Sequence, residues 1–194
     1  YKIKKYWIFK QRKINLKTAE EELEYLISSE ARNKYIVNLT IGLERNTLLL
    51  FRFVEKHGQL LYDMIKENTN DRKIFFVYGG TDTDTREQIR AIVESERNAV
   101  IVASYGVFSV GVNIRNLHNI IFASPSKSRI RNLQSIGRGL RLSDKKEIAT
   151  LYDIADDLKF KNKKNYTLEH FEERVKTYKE ENFPLATYHI QLKT

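Results

Sequence analysis

The sequence predicts an α/β protein in which a doubly wound parallel sheet is covered by helices on both faces. Three observations support this fold class. Short runs of consecutive apolar residues, typical of parallel strands buried on both faces, recur along the chain. Segments with helical spacing of apolar residues separate these runs, which indicates βαβ connections. The chain has 194 residues, enough for one domain with a sizeable core.

The N-terminal part combines a basic segment with two predicted helices. Residues 1–17 are expected to form a linker or an edge strand, because lysine and arginine are mixed with aromatic residues near the start. Thr18 and Glu21 have the spacing of a capping box, which predicts the start of the first helix. The second helix is expected over 30–45, with Asn46 as a left-handed stop.

Buried strands are predicted after these helices, each from a short apolar run. They lie at 48–53, 74–78, 100–103, 120–123 and 148–152. Helical spacing predicts a helix over 56–68, between the first two of these strands. Asp84 and Glu87 form a second capping box, so another helix is expected to begin there and to continue to Arg97. This alternation predicts that the strands run parallel.

The last part of the chain, 159–194, is predicted to extend a central domain at 18–158. Thr167 is expected to cap its helix, and a strand-like pattern follows at 187–192. The lysine-rich loop at 159–164 could hold duplex nucleic acid or be solvated, and we interpret it as solvated. Just before it stand three acidic residues, Asp153, Asp156 and Asp157. We interpret them as the solvated start of a helix and not as a metal site, because no ligand loop accompanies them.

Composition narrows the range of functions. The net charge of +9 and the pI near 9.5 favour a polyanionic partner such as nucleic acid. The sequence contains no cysteine, which excludes disulfides and cysteine-based zinc sites. It has no run of 18 apolar residues and no signal-peptide pattern, so we expect a soluble cytoplasmic protein. Because the sequence begins with Tyr1, we also expect it to be a piece of a longer chain.

Candidate binding residues follow the predicted strands, because ligands bind at the carboxyl ends of the strands in such sheets. Arg52 could contact a phosphate or be solvated. Gly79 and Gly80 could let a nucleic-acid backbone approach, or could form a plain loop. Ser104 begins a sharp turn whose hydroxyl and backbone amides suit a phosphate, although an ordinary turn would also use a serine cap. Gly111 and Asn113 could lie in a tight loop that approaches a nucleotide, or could form a simple turn.

The most informative stretch is Gln-Ser-Ile-Gly-Arg-Gly-Leu-Arg at 134–141. On a helix, Gln134, Arg138 and Arg141 lie on one face, while apolar residues form a separate stripe that can be buried. Two guanidinium groups held a turn apart suit the charged oxygens of a triphosphate. The alternative is a pair of exposed arginines near the end of a helix.

The phosphate-binding half of an ATPase is missing from the sequence. There is no Gly-x-x-x-x-Gly-Lys-Ser/Thr loop, and no acidic cluster at a strand end to hold magnesium. The arginines could therefore act on a nucleotide only if a neighbouring domain held it across a cleft.

These motifs together resemble the second RecA-like domain of superfamily-two helicases, over about 48–152. The matching segments are 134–141 for the sixth motif, 104–113 for the fifth and 49–53 for the fourth. The runs at 54–58 and 165–173 are similar to those of phage recombination helicases. The resemblance implies a RecA-like fold with N-terminal helices and a C-terminal helical extension.

The resemblance also implies roles for individual residues. Arg138 and Arg141 would be arginine fingers that reach ATP and its magnesium, held mainly by an N-terminal RecA-like domain of the same protein. Gln134, Gly111 and Asn113 would lie near the nucleotide. Contacts to the phosphates of the nucleic-acid strand would come from Arg52, Gly79, Gly80, Ser104 and Tyr105. Relatives often have Asp at the position of Asn113, which puts a charge-dependent role there in doubt, and often have Thr at that of Ser104.

The activity implied is that of an ATP-dependent helicase or translocase that acts on branched DNA or RNA–DNA hybrids, as a monomer without membrane association. The chain alone is expected to hydrolyse no ATP. Two alternatives remain open, a non-catalytic nucleic-acid-binding α/β module and a flavodoxin-like nucleotide-binding domain. The second alternative ranks last because no Gly-rich loop follows its first strand.

Overall fold

A parallel sheet runs through the part of the chain that the computed structural model describes, which comprises residues 5–10, 15–109, 114, 116–124 and 149–192. Its strands are β1 Lys5–Lys10, β2 Thr47–Phe51, β3 Ile74–Val77, β4 Val100–Ser104, β5 Asn119–Phe122, β6 Thr150–Asp157 and β7 Thr187–Gln191. Their order across the sheet is β3-β4-β2-β5-β6-β1-β7, and each of these pairings is parallel. The predicted doubly wound parallel sheet is thus confirmed.

Helices cover both faces of this sheet, as predicted. They are α1 Ala19–Ser28, α2 Glu30–Gly42, α3 Gln59–Glu67, α4 Thr83–Ser95, α5 Tyr105–Ser109 and α6 Tyr166–Glu180, and a π-helical turn at Val54–Gly58 leads into α3. None of the helices in the described residues is long and apolar enough to cross a membrane.

Strand β2 shows why consecutive apolar residues predict such a strand. Leu48 and Leu50 pack in the core that includes residues of α4 and α6. Leu49 and Phe51 point to the other face and pack in the core formed with α2 and α3. All five residues of β2 are buried, because neighbouring side chains alternate between two covered faces.

The prediction of an edge strand near the N-terminus is wrong. Strand β1 pairs with β6 on one side, where Tyr6 lies opposite Asp153, and with β7 on the other, where Tyr6 lies opposite Thr187. Phe9 is fully buried. The edge at this end of the sheet is formed by β7, because the last strand of the described chain is added outside β1. Strands from the predicted linker and the predicted extension therefore belong to the central sheet, while the domain boundaries themselves stay predictions.

Two of the predicted helix caps need correction. The first capping residue is confirmed, since the Thr18 hydroxyl accepts a hydrogen bond from the Glu21 backbone amide at 3.1 Å. Helix α4 begins one residue before Asp84 and is capped by Asp82, whose carboxylate accepts from the Thr85 amide at 2.8 Å. The N-cap of α6 is Asn165 and not the predicted threonine two residues later.

The end of α2 also differs from the prediction. The helix stops at Gly42, and the left-handed conformation is found at Arg45, where φ is 74°. Asn46 is fully buried instead: its amide nitrogen donates to the Val93 carbonyl of α4, and its amide oxygen accepts from the Ala99 backbone before β4. The side chain that ends the predicted helix is thus a tertiary link and not a local stop signal.

The acidic residues after the fifth predicted strand are not the solvated start of a helix. They belong to β6, and Asp153 and Asp156 are fully buried. Arg174 of α6 donates two hydrogen bonds to Asp153, at 2.8 and 2.9 Å. On the opposite face of the strand, Arg32 of α2 contacts Asp156 through Nε at 2.9 Å. Since three positions separate the carboxylates, they point to opposite faces and hold one helix on each.

Candidate nucleic-acid interface

The described candidate residues lie at one edge of the sheet, where neighbouring strands end. In the register of the sheet, Phe51 is opposite Ser104 and Val77 is opposite Ala103. The segments that follow β3, β4 and β2 therefore emerge side by side. Parallel pairing explains this arrangement, because it places all carboxyl ends at the same edge. We refer to this edge as the carboxyl edge.

The glycine pair after β3 forms an exposed turn. The Thr81 amide donates to the Tyr78 carbonyl at 3.0 Å, and Nη2 of Arg86 donates to the Gly79 carbonyl at 2.9 Å. A Cβ atom at Gly80 would lie 2.6 Å from the ring of Tyr78, so a larger residue would displace that ring. At Gly79 a Cβ atom would meet nothing within 4 Å, so the backbone there faces open space.

The last residue of β4, Ser104, and the first residue of α5, Tyr105, are less accessible than the sequence suggested. Ser104 and Tyr105 are 8% and 7% exposed. The Tyr105 hydroxyl donates to the Ser124 carbonyl at 3.0 Å, across to the segment that follows β5. Because that hydroxyl is used inside the fold, a phosphate contact at Tyr105 would come from the backbone.

Arg52 is an exposed cation at this edge, directly after β2. Its guanidinium lies 5.1 Å from the centre of the Phe53 ring, a distance at which a cation is attracted to the aromatic face. Its backbone amide donates to the hydroxyl of Ser124 at 3.1 Å. The position of Arg52 is thus set by its own strand and by the end of the neighbouring strand.

A buried chain of hydrogen bonds continues behind Arg52. The Ser124 hydroxyl lies 2.8 Å from Nδ1 of His57, and Nε2 of the same ring lies 3.1 Å from Oδ1 of Asn33. The amide nitrogen of Asn33 donates to the Ile27 carbonyl at 2.8 Å, which leaves Oδ1 as an acceptor. Nε2 of His57 therefore carries the proton, and Nδ1 accepts from the serine. We call this chain, from Ser124 through His57 to Asn33, the serine–histidine relay.

The histidine in this relay is held neutral. Burial lowers the pKa of His57 to about 3, and the charge of Arg32 contributes in the same direction. The ring is therefore uncharged at any pH near neutrality and acts as a fixed polar spacer. Arg32 also donates to the Ala123 carbonyl at 2.8 Å. This bond fixes the segment after β5 whose Ser124 hydroxyl accepts from the Arg52 amide.

Sequence reasoning assigned no role to His57, Ser124 or Asn33. The serine and the histidine are 67 residues apart, and the histidine and the asparagine 24. One local signal was available, since the serine directly follows a predicted strand at its carboxyl end, but it did not identify a partner. The predicted nucleotide-site residues lie outside the described residues: Gly111, Asn113, Gln134, Arg138 and Arg141.

Comparisons with known proteins agree with this fold. The model of the helicase conserved C-terminal domain family matches residues 31–143. The chain is 37% identical over 184 residues to the ATP-dependent DNA helicase uvsW of Enterobacteria phage T4, which covers 88% of this chain and 36% of that protein. The chain thus spans about a third of the length of this relative.

Solved structures give the same result. The crystal structure of T4 UvsW superimposes with a TM-score of 0.80 at 35% identity, over 98% of this chain and 42% of that one. The E. coli DEAD-box protein SrmB has a TM-score of 0.61 at 14% identity, over 97% of this chain and 94% of that one, which shows a likeness of fold alone.

Proposed function

This chain belongs to the helicase conserved C-terminal domain family, and we propose that it is the second RecA-like motor domain of an ATP-dependent DNA helicase or translocase. In this proposal its carboxyl edge grips the phosphates of one strand, and its arginine motif acts on ATP held mainly by an N-terminal RecA-like domain of the same protein. The substrates are branched DNA or RNA–DNA hybrids.

The observation that carries the proposal is the way in which Arg52 is presented. Its guanidinium is exposed at the carboxyl edge, while the serine–histidine relay holds its backbone from behind. An exposed turn at Gly79 and Gly80 lies two strands away along the same edge. Cations and accessible backbone suit phosphate groups, which give a grip that does not depend on sequence. A translocating protein needs such indifference to sequence.

The nucleotide part of the proposal rests on the sequence motifs. Arg138 and Arg141 would stabilise the charge that develops on the γ-phosphate, as arginine fingers do. Gln134, Gly111 and Asn113 would line the cleft and couple the state of the nucleotide to the strand. Within the described residues, no cluster of three or more acidic or histidine side chains could hold a metal ion, and the proposal places magnesium with ATP on the partner domain.

Alternating closure and opening of the two domains would then move the strand. When the arginines engage ATP, the domains close and the carboxyl edge takes hold of a new phosphate. Hydrolysis removes the γ-phosphate that the arginines contact, so the domains separate while one of them keeps its grip. Our second candidate, a non-catalytic nucleic-acid-binding module, would show the grip without this cycle.

The test is the ATPase activity of a longer protein that contains both domains. Arg138→Ala or Arg141→Ala is expected to lower turnover by about a thousandfold, because each removes a positive charge from the transition state. Strand binding without nucleotide should change far less. Arg97→Ala removes an exposed arginine from the segment before β4, at the opposite edge of the sheet, and serves as the matched control with turnover unchanged.

Two results would count against the proposal. Turnover near the wild-type value in both arginine variants would show that Arg138 and Arg141 are not arginine fingers. Absence of ATP hydrolysis in the wild-type longer protein would favour the binding module. The chain by itself is expected to hydrolyse no ATP. Stimulated hydrolysis by the purified chain would contradict the proposal that a second domain must hold the nucleotide.

A further inference from the structure

A compact basic turn projects from the end of β6, at the carboxyl edge. It follows Asp157, and its residues 159–164 include four lysines. Phe160 and Lys163 exchange two backbone hydrogen bonds, at 3.2 and 3.1 Å, which closes the turn. Lys161, between them, has a φ of 53°, in the left-handed region. The loop that the sequence suggested was merely solvated therefore has a defined conformation.

Asn165 anchors both ends of this turn. Its Oδ1 accepts a hydrogen bond from the Leu158 amide at 2.9 Å, before the turn, and its own amide group donates to the Asp156 carbonyl at 2.9 Å. The same group donates to Oε1 of Glu22 at 2.8 Å. Because Glu22 belongs to α1, the turn is fixed relative to a second element of the fold.

Glu22 strengthens this anchor at the start of α6. Its carboxylate is buried and accepts from the amides of Tyr166 and Thr167, at 2.9 and 2.7 Å, as well as from the Thr167 hydroxyl. A carboxylate at the N-terminus of a helix satisfies amides that have no partner within the helix and is stabilised by the helix dipole. The lysines thus stand on a rigid support.

The four lysines divide into two pairs. Lys159 lies 3.7 Å from Asp157, and Lys164 lies 2.7 Å from Glu172, so both have an acidic partner. Lys161 and Lys163 have no carboxylate within ion-pair distance among the described residues. Each lies instead over an aromatic ring: Lys161 over Phe160 at 5.7 Å and Lys163 over Tyr166 at 5.7 Å.

We propose that Lys161 and Lys163 bind the phosphodiester backbone of the nucleic acid beside the strand track, as a second contact of this domain. The proposal rests on the proposed function. The two ammonium groups are exposed and are not neutralised by a neighbour, and both are held on a rigid turn at the same edge as Arg52. A phosphate backbone that leaves the track along this edge would meet them, and its counterions would be released on binding.

The test is the salt dependence of nucleic-acid binding by the chain. The variant Lys161→Gln/Lys163→Gln removes two charges without touching the anchor. The slope of the logarithm of affinity against the logarithm of salt concentration is expected to decrease in magnitude by about 1.8 on duplex DNA or about 1.4 on single-stranded DNA. Titration of a labelled duplex and of labelled oligothymidine distinguishes the two sources of phosphate.

A matched control separates this contact from net charge. The variant Lys66→Gln/Arg97→Gln also loses two charges. Arg97 is exposed before β4, at the opposite edge of the sheet, and Lys66 lies over the Tyr62 ring at 5.8 Å in the same way as the lysines of the turn. Lys66 stands in the last turn of α3, from which the chain returns to the amino end of β3. This control should keep the wild-type slope apart from a small general effect.

The outcomes are distinct. A smaller slope in the turn variant alone, on either probe, supports the proposal. An unchanged slope in the turn variant, or an equal loss in the control, overturns it while leaving the proposed function in place. If the wild-type chain binds neither probe at low salt, the grip assigned to the carboxyl edge fails, and this inference fails with it.

Discussion

The two edges of the sheet use buried polar side chains in different ways. At the amino edge, Asn46 donates to the carbonyls of Val93, Glu96 and Asn116 and accepts from the Ala99 amide, so both atoms of its amide group end on backbone. At the carboxyl edge, the serine–histidine relay ends on the backbone of an exposed cation. The first arrangement links backbone segments to one another, while the second supports an exposed charge.

Arg72 strengthens the contrast. Its guanidinium donates to the carbonyls of Thr40, Ile41 and Leu43, at the end of α2, and also to carbonyls of neighbouring loops. Such bonds satisfy carbonyls that a helix end leaves without partners. Arg72 is thus a structural arginine, whereas Arg52 keeps its guanidinium exposed. The comparison teaches that the partners of an arginine indicate its role better than its position at a strand end.

A cleft at the amino edge agrees with this division. It has a volume of about 730 Å³, and its lining includes residues of both charges: Glu44, Glu94, Glu96, Arg45 and Arg97. The glutamates would repel a phosphate. We therefore propose the carboxyl edge, and not this cleft, as the place for nucleic acid.

The largest effect is expected on stability, when the buried Asn46 at the amino edge loses its side chain. Asn46→Ala should lower the free energy of unfolding by about 3 kcal/mol, because an amide and three carbonyls lose a buried partner. Nucleic-acid binding by the folded protein should not change. Urea denaturation gives the first quantity and titration with labelled DNA the second. Asn98→Ala, at an exposed asparagine nearby, should stay within about 0.5 kcal/mol. Weaker nucleic-acid binding at unchanged stability in Asn46→Ala would contradict the purely structural role of the amino edge.

The next effect concerns the relay and pH. In the unfolded chain His57 binds a proton with a pKa near 6.5, whereas the folded pKa is about 3. The unfolded state therefore holds more protons between these values, and stability falls as pH is lowered through this range. The slope contributed by His57 is at most about 1.4 kcal/mol per pH unit.

The variant His57→Gln isolates this contribution, because glutamine has polar groups but no proton to gain. Urea denaturation of both proteins at several values from neutral pH to about pH 4 gives the difference in unfolding free energy. As pH falls, the free energy of unfolding of the variant should rise relative to that of the wild-type protein. Parallel curves for the two proteins would show that the histidine is not held neutral.

The smallest effect is expected at the exposed cation. Arg52→Ala should weaken binding of single-stranded DNA about fivefold to tenfold and reduce the salt slope by about 0.7, because one phosphate contact is lost. Unfolding free energy should change by less than about 0.5 kcal/mol, since the backbone bond to Ser124 remains. Arg52→Lys keeps the charge and should retain most of the slope. A large loss of stability with an unchanged slope would make Arg52 a structural residue like Arg72.

Much of the fold was predictable because its signals are local. The apolar run around Leu48 predicts a buried strand, and the spacing of Thr18 and Glu21 predicts a helix start that the structure confirms. Parallel strands then place Arg52 and Ser104 at one edge, since alternating strands and helices leave few other topologies. The helix caps at Asp82 and Asn165 each lie two residues before the predicted ones. At α6 the first amides donate to Glu22, a residue of α1 that local spacing cannot identify.

The sequence by itself determined the class of fold, the family motifs and the edge at which the described candidate residues lie. The tertiary structure alone decided that β1 lies inside the sheet, that Asp153 and Asp156 are buried ion-pair partners, and that His57 supports Arg52. The physical reason is the range of the interactions. Periodicity and capping act within a few residues, whereas the burial of a carboxylate or an imidazole depends on partners that only packing brings close.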